Sequence, residues 1–319
     1  MPPPVAHLPA LLSGPNRAAN SLLGPFDELL EDFLSKGGPL PREYGVLNRA
    51  IRHLGDAVRA GLIPAALLLE HIRSLTERRL AGTMQAQALA KKYGYSGDFE
   101  MIDHIYVQKV NPDPGLRCWD LFFHAQAAPN AVRNRKRYFK NLVAEKLAGM
   151  PAGRRLDVLN VASGPARDLR EVFQDNEAAD IHVDCVDMEG HAISYARQLC
   201  APWLDRIEFH QRNVLRHMPA RGYDLAWSAG LFDYLGDRSF VHLLRAMLAV
   251  TRPGGEVVVG NFSDFNPSRD YMEMMGDWRL RHRSQETLTS LACQAGIPPN
   301  RLRIFWEPEG VNYFLHARA

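Results

Sequence analysis

The sequence predicts an α/β fold: a mostly parallel sheet with helices on both faces and a final antiparallel strand, preceded by an N-terminal α-helical domain. Three observations predict it. From residue 155 onward, short apolar runs alternate with helical patterns, the arrangement of a parallel sheet covered by its crossover helices. The last two apolar runs, "LRIFWEP" and "VNYFLHAR", are joined by too short a link to be parallel neighbours, so the last strand enters antiparallel. Before residue 155 there is no convincing strand, and amphipathic spacing dominates. The boundary falls near residue 150, giving a helical lid or substrate domain over 1–150 and a sheet domain over 151–319.

Residues 1 to about 24 are rich in Pro, Gly and Ser and read as an irregular arm. In "PREYGVLNRAIRHLGDAVRAG", Tyr44, Leu47, Ile51, Leu54 and Val58 recur at three- and four-residue steps, which marks a helix with one buried face. Pro41 suits its first turn and Gly61 its end. Further helices are expected near 63–81, 83–92, 97–108 and 130–148. The strands then read "LDVLNVA", "IHVDCVD", "IEFHQRNV", "YDLAWSAG" and "GEVVVGNF", with "GHAISYARQLC" and "SFVHLLRAMLAVT" among the intervening helices. One more helix, near 285–295, precedes the closing pair.

Composition narrows the function classes. Hydrophobic residues make up 46% and charged residues 23% of the 319, and the net charge is +2, so nothing demands a polyanionic partner. Cys118, Cys185, Cys200 and Cys293 are scattered without ligand-like pairing, which argues against structural zinc and a disulfide framework. "MPPPVAHLPALLSGPN" lacks the basic and apolar regions of a signal peptide. "LIPAALLLEHI" is far shorter than the roughly 20 residues of a membrane span. A cytoplasmic protein is expected, with no membrane partner. The twelve histidines form no HxH or HExxH pattern, so no metal is expected.

The stretch "NVASGPARD" at 160–168 sits between a strand and a helix, where small residues let the backbone approach a ligand at the helix N-terminus. Further stations follow at set distances: Asp187 closing "VDCVD", "RNV" at 212–214, "YDLAWSAGLFDYL", and "TRPGGEVVVGNF". Together they resemble the Rossmann-like class I S-adenosylmethionine (SAM) dependent methyltransferases, over roughly residues 150–319. The resemblance implies that Gly164 is the one retained glycine of the first motif, with Ala162 and Ala166 at the other two glycine positions and Ser163 between. Alanine suits those positions if φ stays negative. Asn160 stands where the family often has an acidic residue, which removes a charge that would meet the ligand's ammonium. Asp187, followed by Met188, falls where a carboxylate holds the ribose hydroxyls. Asn213 and Val214 fall beside the adenine, and Ser228, Ala229 and Gly230 close the fourth strand beside the ligand.

A narrower resemblance covers about residues 90–319. "YGYSGDFEMIDHIY", "PNAVRNRKRYFKNLV", "DYLGDRSFVHLLRAM", "GNFSDFNPSRDYMEMMGDW" and "EGVNYFL" are similar to bacterial proteins named for 3-hydroxypalmitic acid methyl ester biosynthesis. In such enzymes a helical extension covers the SAM cleft. "GYSGDFEMIDHIY" is the candidate lid, with Asp98 able to cap the next helix and Tyr106 to point its hydroxyl into the cleft. Tyr95, Phe99, Ile102 and Tyr106 read equally well as packing residues of an amphipathic helix.

"RNRKR" at 133–137 has three readings: a solvated helix face, phosphate contacts to RNA, or one arginine, Arg133 by preference, clamping SAM's carboxylate. The stretch lacks interleaved aromatics, which disfavours nucleic acid. "LFDYL" at 231–235 is not the Asn/Asp-Pro-Pro-Tyr signature of nitrogen methyltransferases. Asp233 and Tyr234 can orient an acceptor or simply cap the following helix, and His104 and His124 are candidate bases. The expected activity is methyl transfer from SAM to a small-molecule acceptor, a carboxylate or hydroxyl, in specialised metabolism. Two alternatives stand beside it. One is cyclisation of SAM to azetidine-2-carboxylate and methylthioadenosine, as in the azetidine-2-carboxylate synthases that share this fold. The other is a non-catalytic SAM- or RNA-binding module. Oligomeric state is not encoded in any feature of the sequence.

Overall fold

A computed structural model describes residues 17–151 and 153–319. Of the expected irregular arm, residues 1–16 lie outside the described residues, and from Arg17 the chain is already helical. Helix α1 (Arg17–Ser35) contains Pro25, yet Leu23, Phe26, Leu30 and Phe33 bury one stripe at three- and four-residue steps. That stripe overrides the local Pro and Gly content. Helices α2 (Tyr44–Arg59), α3 (Ala65–Thr76), α4 (Met84–Ala90) and α5 (Phe99–Tyr106) follow where spacing predicts them. Then come α6 (Pro114–His124), which the sequence reading lacks, and α7 (Ala127–Ala148).

The remainder alternates: β1 (Leu156–Val161), α8 (Arg167–Asp175), β2 (Ile181–Asp187), α9 (Gly190–Leu199), β3 (Ile207–Gln211), β4 (Tyr223–Ser228), α10 (Asp237–Ala249) and β5 (Thr251–Phe262). After β5 stand α11 (Arg269–Met275), also unexpected, α12 (Gln285–Gln294), β6 (Leu302–Trp306) and β7 (Asn312–Arg318). The chain clusters into two compact units. One comprises the described residues up to Ala90, with Val110–Phe123 and Ser268–Trp278. Within it α11 packs on α2 and α3, and Arg59 Nη1 pairs with Asp270 at 2.5 Å. The other comprises Lys91–Lys109, His124–Pro267 and Arg279–Ala319. Thus α5 and α7, which precede residue 150, cluster with the sheet.

The sheet has the order β3-β2-β1-β4-β5-β7-β6. β1 through β5 pair in parallel, and β7 runs antiparallel between β5 and β6. The antiparallel final strand is therefore present, inserted beside β5, and β6 forms the edge. All six residues of β1 are buried, as a central parallel strand requires. One face packs Leu159, Val161 and Val259 against Phe240, Leu243 and Leu244 of α10 and Leu288 of α12. The other packs Val158, Val183 and Trp227 against Phe139 of α7, Leu169 and Phe173 of α8 and Ala196 of α9. Because consecutive strands fill outward from β1 in one direction and then resume at β4 in the other, the order reverses between β1 and β4. That reversal opens a crevice at the strands' carboxyl ends, where open α/β sheets bind ligands.

The loop leaving β4 is tied to the rest of the sheet unit by one buried cation. Arg283, 4% exposed, donates to the Phe232 carbonyl at 3.0 Å, the Leu235 carbonyl at 2.6 Å, Asn261 Oδ1 at 2.7 Å and Asp237 Oδ1 at 2.9 Å. Replacing Arg283 with methionine keeps volume but leaves the buried acceptors alone, at about 1–3 kcal/mol each. Arg283→Met is expected to lower stability by about 3 kcal/mol or more, read as a fall in the urea midpoint with unchanged slope. An unshifted midpoint would mean that the loop is held by other contacts.

Candidate functional site

The backbone after β1 sets the site. Ala162, Gly164 and Ala166 have φ of 54°, 56° and 55°, so both alanines adopt the left-handed conformation rather than the negative φ expected for them. An L-residue there costs about 1–2 kcal/mol. The strain persists because the loop is bonded to β2. Ala162 N–H donates to the Val186 carbonyl at 2.8 Å, and Gly164 N–H donates to Asp187 Oδ2 at 2.9 Å. The other oxygen, Asp187 Oδ1, accepts the Glu189 N–H at 2.9 Å. Burial raises the Asp187 pKa while the Glu189, Gly164 and Met188 amides oppose that rise. A carboxylate offers about four lone-pair sites, so these amides leave acceptor capacity for a further donor.

A cleft of about 450 Å³ opens here, at the carboxyl ends of β1, β2 and β4. Its floor is the β1 loop, Asp187 to Glu189, and Ala229 to Leu231. Its opposite wall is Tyr93, Tyr95, Gly97, Phe99, Ile102 and Tyr106, on and before α5. Asp98 caps α5 through the Met101 N–H at 2.8 Å. Asp103, 3% exposed, pins the helix: it accepts both Arg167 Nε and Arg167 Nη2, the latter at 2.8 Å, and the Tyr195 hydroxyl at 2.6 Å. At the wall's other end the Tyr234 hydroxyl donates to the Ser96 carbonyl at 2.8 Å. The wall is thus a fixed part of the sheet unit.

Of the residues singled out from sequence, the cleft gathers Asn160, Ala162, Ser163, Gly164, Asp187, Met188, Ala229, Gly230, Tyr106 and Tyr234. The others lie elsewhere. Ser228 is fully buried and its hydroxyl donates to the Val161 carbonyl, joining β4 to β1. Asn213 is exposed and its side chain accepts the Leu215 N–H, while Val214 packs on the core. Asp233 is 1% exposed and accepts the Phe262 N–H at 2.5 Å, a loop tie rather than a cleft group. His104 sits beside Lys109, with Nε2 and Nζ 3.2 Å apart, and burial lowers its pKa. His124 bonds the Lys109 carbonyl at 2.7 Å.

Arg133 turns toward the His124 carbonyl, at 2.7 Å, and Asn130. The arginine on the cleft is Arg135 instead. "RNRKR" does not form one solvated face: Arg135 is 6% exposed, Lys136 pairs with Glu171 at 2.5 Å, and Arg137 bonds Asn134. The periodicity of α7 held the signal, since Ala128, Ala131, Val132, Arg135, Phe139 and Leu142 make one buried stripe. Asp168 was also missed. It lines the cleft at 5% exposure, on the buried side of α8 with Leu169 and Val172. Burial pushes its pKa up to about 6, against the Leu169 N–H and Arg135. Burial likewise pushes the Tyr106 hydroxyl up to about 12, which Arg135 opposes.

Comparison with known proteins agrees with the fold. Residues 158–255 match the family profile described as a methyltransferase domain. No curated protein matches the chain at a significant level. A structure from Bordetella parapertussis, described as a "possible exported protein", is 17% identical and covers 81% of this chain and 98% of its own, with a TM-score of 0.61. The CMeT domain of a citrinin polyketide synthase is 14% identical and covers 85% of this chain and 69% of its own, at 0.50. The 1,6-didemethyltoxoflavin-N1-methyltransferase of Burkholderia thailandensis, solved with S-adenosylhomocysteine, is 20% identical and covers 58% and 77%, at 0.44. The sheet unit has the class I methyltransferase fold. Among the described residues no helix is long and apolar enough to cross a membrane.

Asp168 makes a testable cost. With its pKa raised to about 6, the native state binds the proton more tightly than the unfolded chain between about pH 4 and pH 6. The ionised group therefore costs stability above pH 6, and the cost disappears as pH falls through that range. Asp168→Asn is expected to be more stable than the parent at pH 7.5, by on the order of 2 kcal/mol, with the gap closing near pH 4. Denaturant melts across that range measure it. A variant less stable at pH 7.5 would mean the carboxylate is held by favourable contacts.

Proposed function

We propose that the cleft binds SAM and that the protein transfers the methyl group to a small molecule bearing a carboxylate or hydroxyl. The observation that carries this reading is Asp187, a carboxylate at the end of β2 with acceptor capacity directed at the crevice beside a left-handed, small-residue loop. A ribose hydroxyl supplies such a donor. The fit is supported by polar atoms left without partners on the cleft residues Asn160 (Nδ2), Ser163 (Oγ) and Arg135 (Nε), which are groups that a polar ligand satisfies. The aromatic wall suits a sulfonium, which is attracted to ring faces.

SAM supplies an already activated methyl group, so the residues need only align donor and acceptor and exclude water. The pinned α5 wall does both. A carboxylate acceptor is ionised at neutral pH and needs no help from a base, which suits a cleft whose described lining includes no histidine. The volume, about 450 Å³, is toward the lower end of the 300–1,000 Å³ that drug-sized ligands fill, so any acceptor is small. A cytoplasmic setting is supported by four cysteines that form no disulfide.

One observation favours a second reading. Asp168 is a buried carboxylate on the cleft with a pKa near 6, suited to relieve an ammonium of its proton near neutrality. That would serve intramolecular closure to azetidine-2-carboxylate with release of methylthioadenosine, for which no acceptor is needed. Incubation with SAM alone separates the two. Methyl transfer predicts no enzyme-dependent loss of SAM until a carboxylate or hydroxyl acceptor is added, and then S-adenosylhomocysteine. Enzyme-dependent methylthioadenosine from SAM alone would replace the first reading with the second. In either case Asp187→Ala is expected to weaken SAM binding by about 2–3 kcal/mol in calorimetry. Unchanged affinity in a folded variant would remove the ribose assignment.

A further inference from the structure

Metal ligands can be divided between paired strands, where no motif on a single element reveals them. β2 opens with His182 and Asp184, and β3 carries Glu208 and His210, each pair two residues apart and so on one face of its strand. The parallel register sets Asp184 beside Glu208, which brings both pairs onto the same face of the sheet. That face is the one on which Tyr223 and Val186 join the core under α10. His182 lies five residues before Asp187, about 16 Å along an extended strand. The cluster therefore stands at the opposite end of β2 from the cleft.

A His182 ring nitrogen, an Asp184 oxygen and a Glu208 oxygen all lie within 4.8 Å of one another. His182 Nε2 is buried and has no hydrogen-bond partner among the described residues, a cost that a ligand bond removes. Asp184 is 2% exposed and is held from two sides. Its Oδ1 accepts from His210 Nε2 at 3.0 Å, and its Oδ2 accepts from the Tyr223 hydroxyl at 2.7 Å. Each oxygen keeps a second lone pair, and ligating carboxylates are commonly oriented by such bonds. Arg221 is the neighbouring cation, with Nη1 3.5 Å from Asp184 and Nη2 3.8 Å from Glu208. Both distances exceed the roughly 2.7–2.9 Å of a charge-assisted hydrogen bond. Its side chain is 39% exposed, so it can turn out to water.

We propose that His182, Asp184 and Glu208 bind a first-row divalent metal ion of the zinc class, with water completing its coordination. An imidazole nitrogen beside two carboxylates suits Zn²⁺ or Co²⁺ better than Mg²⁺ or Ca²⁺, which prefer oxygen alone. Bonds of about 2.1 Å in a tetrahedron place ligand atoms roughly 3.4 Å apart, so the three draw in by up to about 1.5 Å on binding. Glu208, 54% exposed, has room for that movement. The ion clasps the edge strand β3 to β2 and stabilises the sheet unit without entering the reaction.

Untagged full-length protein, stripped with a chelator, tests this. Titrated with Co²⁺, it is expected to develop a visible d–d absorption that saturates at one ion per chain. Zn²⁺ is expected to bleach that absorption and to raise the Tm. His182→Gln, and Glu208→Gln at an exposed side chain that the fold does not need, are each expected to weaken Zn²⁺ binding by about 10-fold or more in calorimetry and to abolish the Tm rise. Arg221→Gln is expected to bind Zn²⁺ more tightly, because a competing positive charge has left. Two results would overturn the proposal. One is the lack of any saturable Co²⁺ absorption in the parent. The other is a Zn²⁺ affinity unchanged in both His182→Gln and Glu208→Gln, which would place the ion elsewhere, as at the exposed thiol of Cys293.

Discussion

At the carboxyl ends of β1 and β2, the Asp187 carboxylate accepts an N–H from each of the loops that leave those strands, Gly164 at 2.9 Å and Glu189 at 2.9 Å. The pairing fixes the turn at Ala162, Gly164 and Ala166 in the left-handed region, where the two alanines would not otherwise rest. The turn in turn delivers Arg167 and Asp168 on the first turn of α8. Arg167 reaches Asp103 and pins the α5 wall, while Asp168 faces the cleft. Floor, wall and buried charge therefore trace back to one carboxylate at a strand end.

The sheet was legible because its signal is redundant. Five apolar runs at crossover spacing, with a closing pair too tightly joined for parallel neighbours, leave little freedom in a fold of this class. α1 was hidden because Pro25 and neighbouring glycines masked a buried stripe of Leu23, Phe26, Leu30 and Phe33. α6 and α11 are short, and their stability comes from packing rather than from local pattern: Phe122 of α6 meets Tyr271 of α11 edge-on at 5.3 Å. No local reading sees a contact that spans about half the chain.

The site was legible where a backbone motif specifies it and obscure where a side chain's direction decides. Gly164, Asp187 and Gly230 follow from strand ends, and they line the cleft. Choosing between Arg133 and Arg135 required the phase of α7, which a run of five polar residues conceals. Asp233 and Asp168 look alike in sequence, and both are buried with pKa values near 6, but one ties a loop to β5 and the other meets the cleft. Buried charges of this kind lower stability in isolation, and of the two only Asp168 meets the cleft.

The most direct measurement is a crystal structure of the protein grown with S-adenosylhomocysteine. The account predicts the ribose hydroxyls on the Asp187 carboxylate, the thioether facing the aromatic wall of Tyr93 to Tyr106, and a β1 loop that keeps positive φ at Ala162 and Ala166. A nucleoside bound anywhere else, or in this cleft with its ribose away from Asp187, would contradict it.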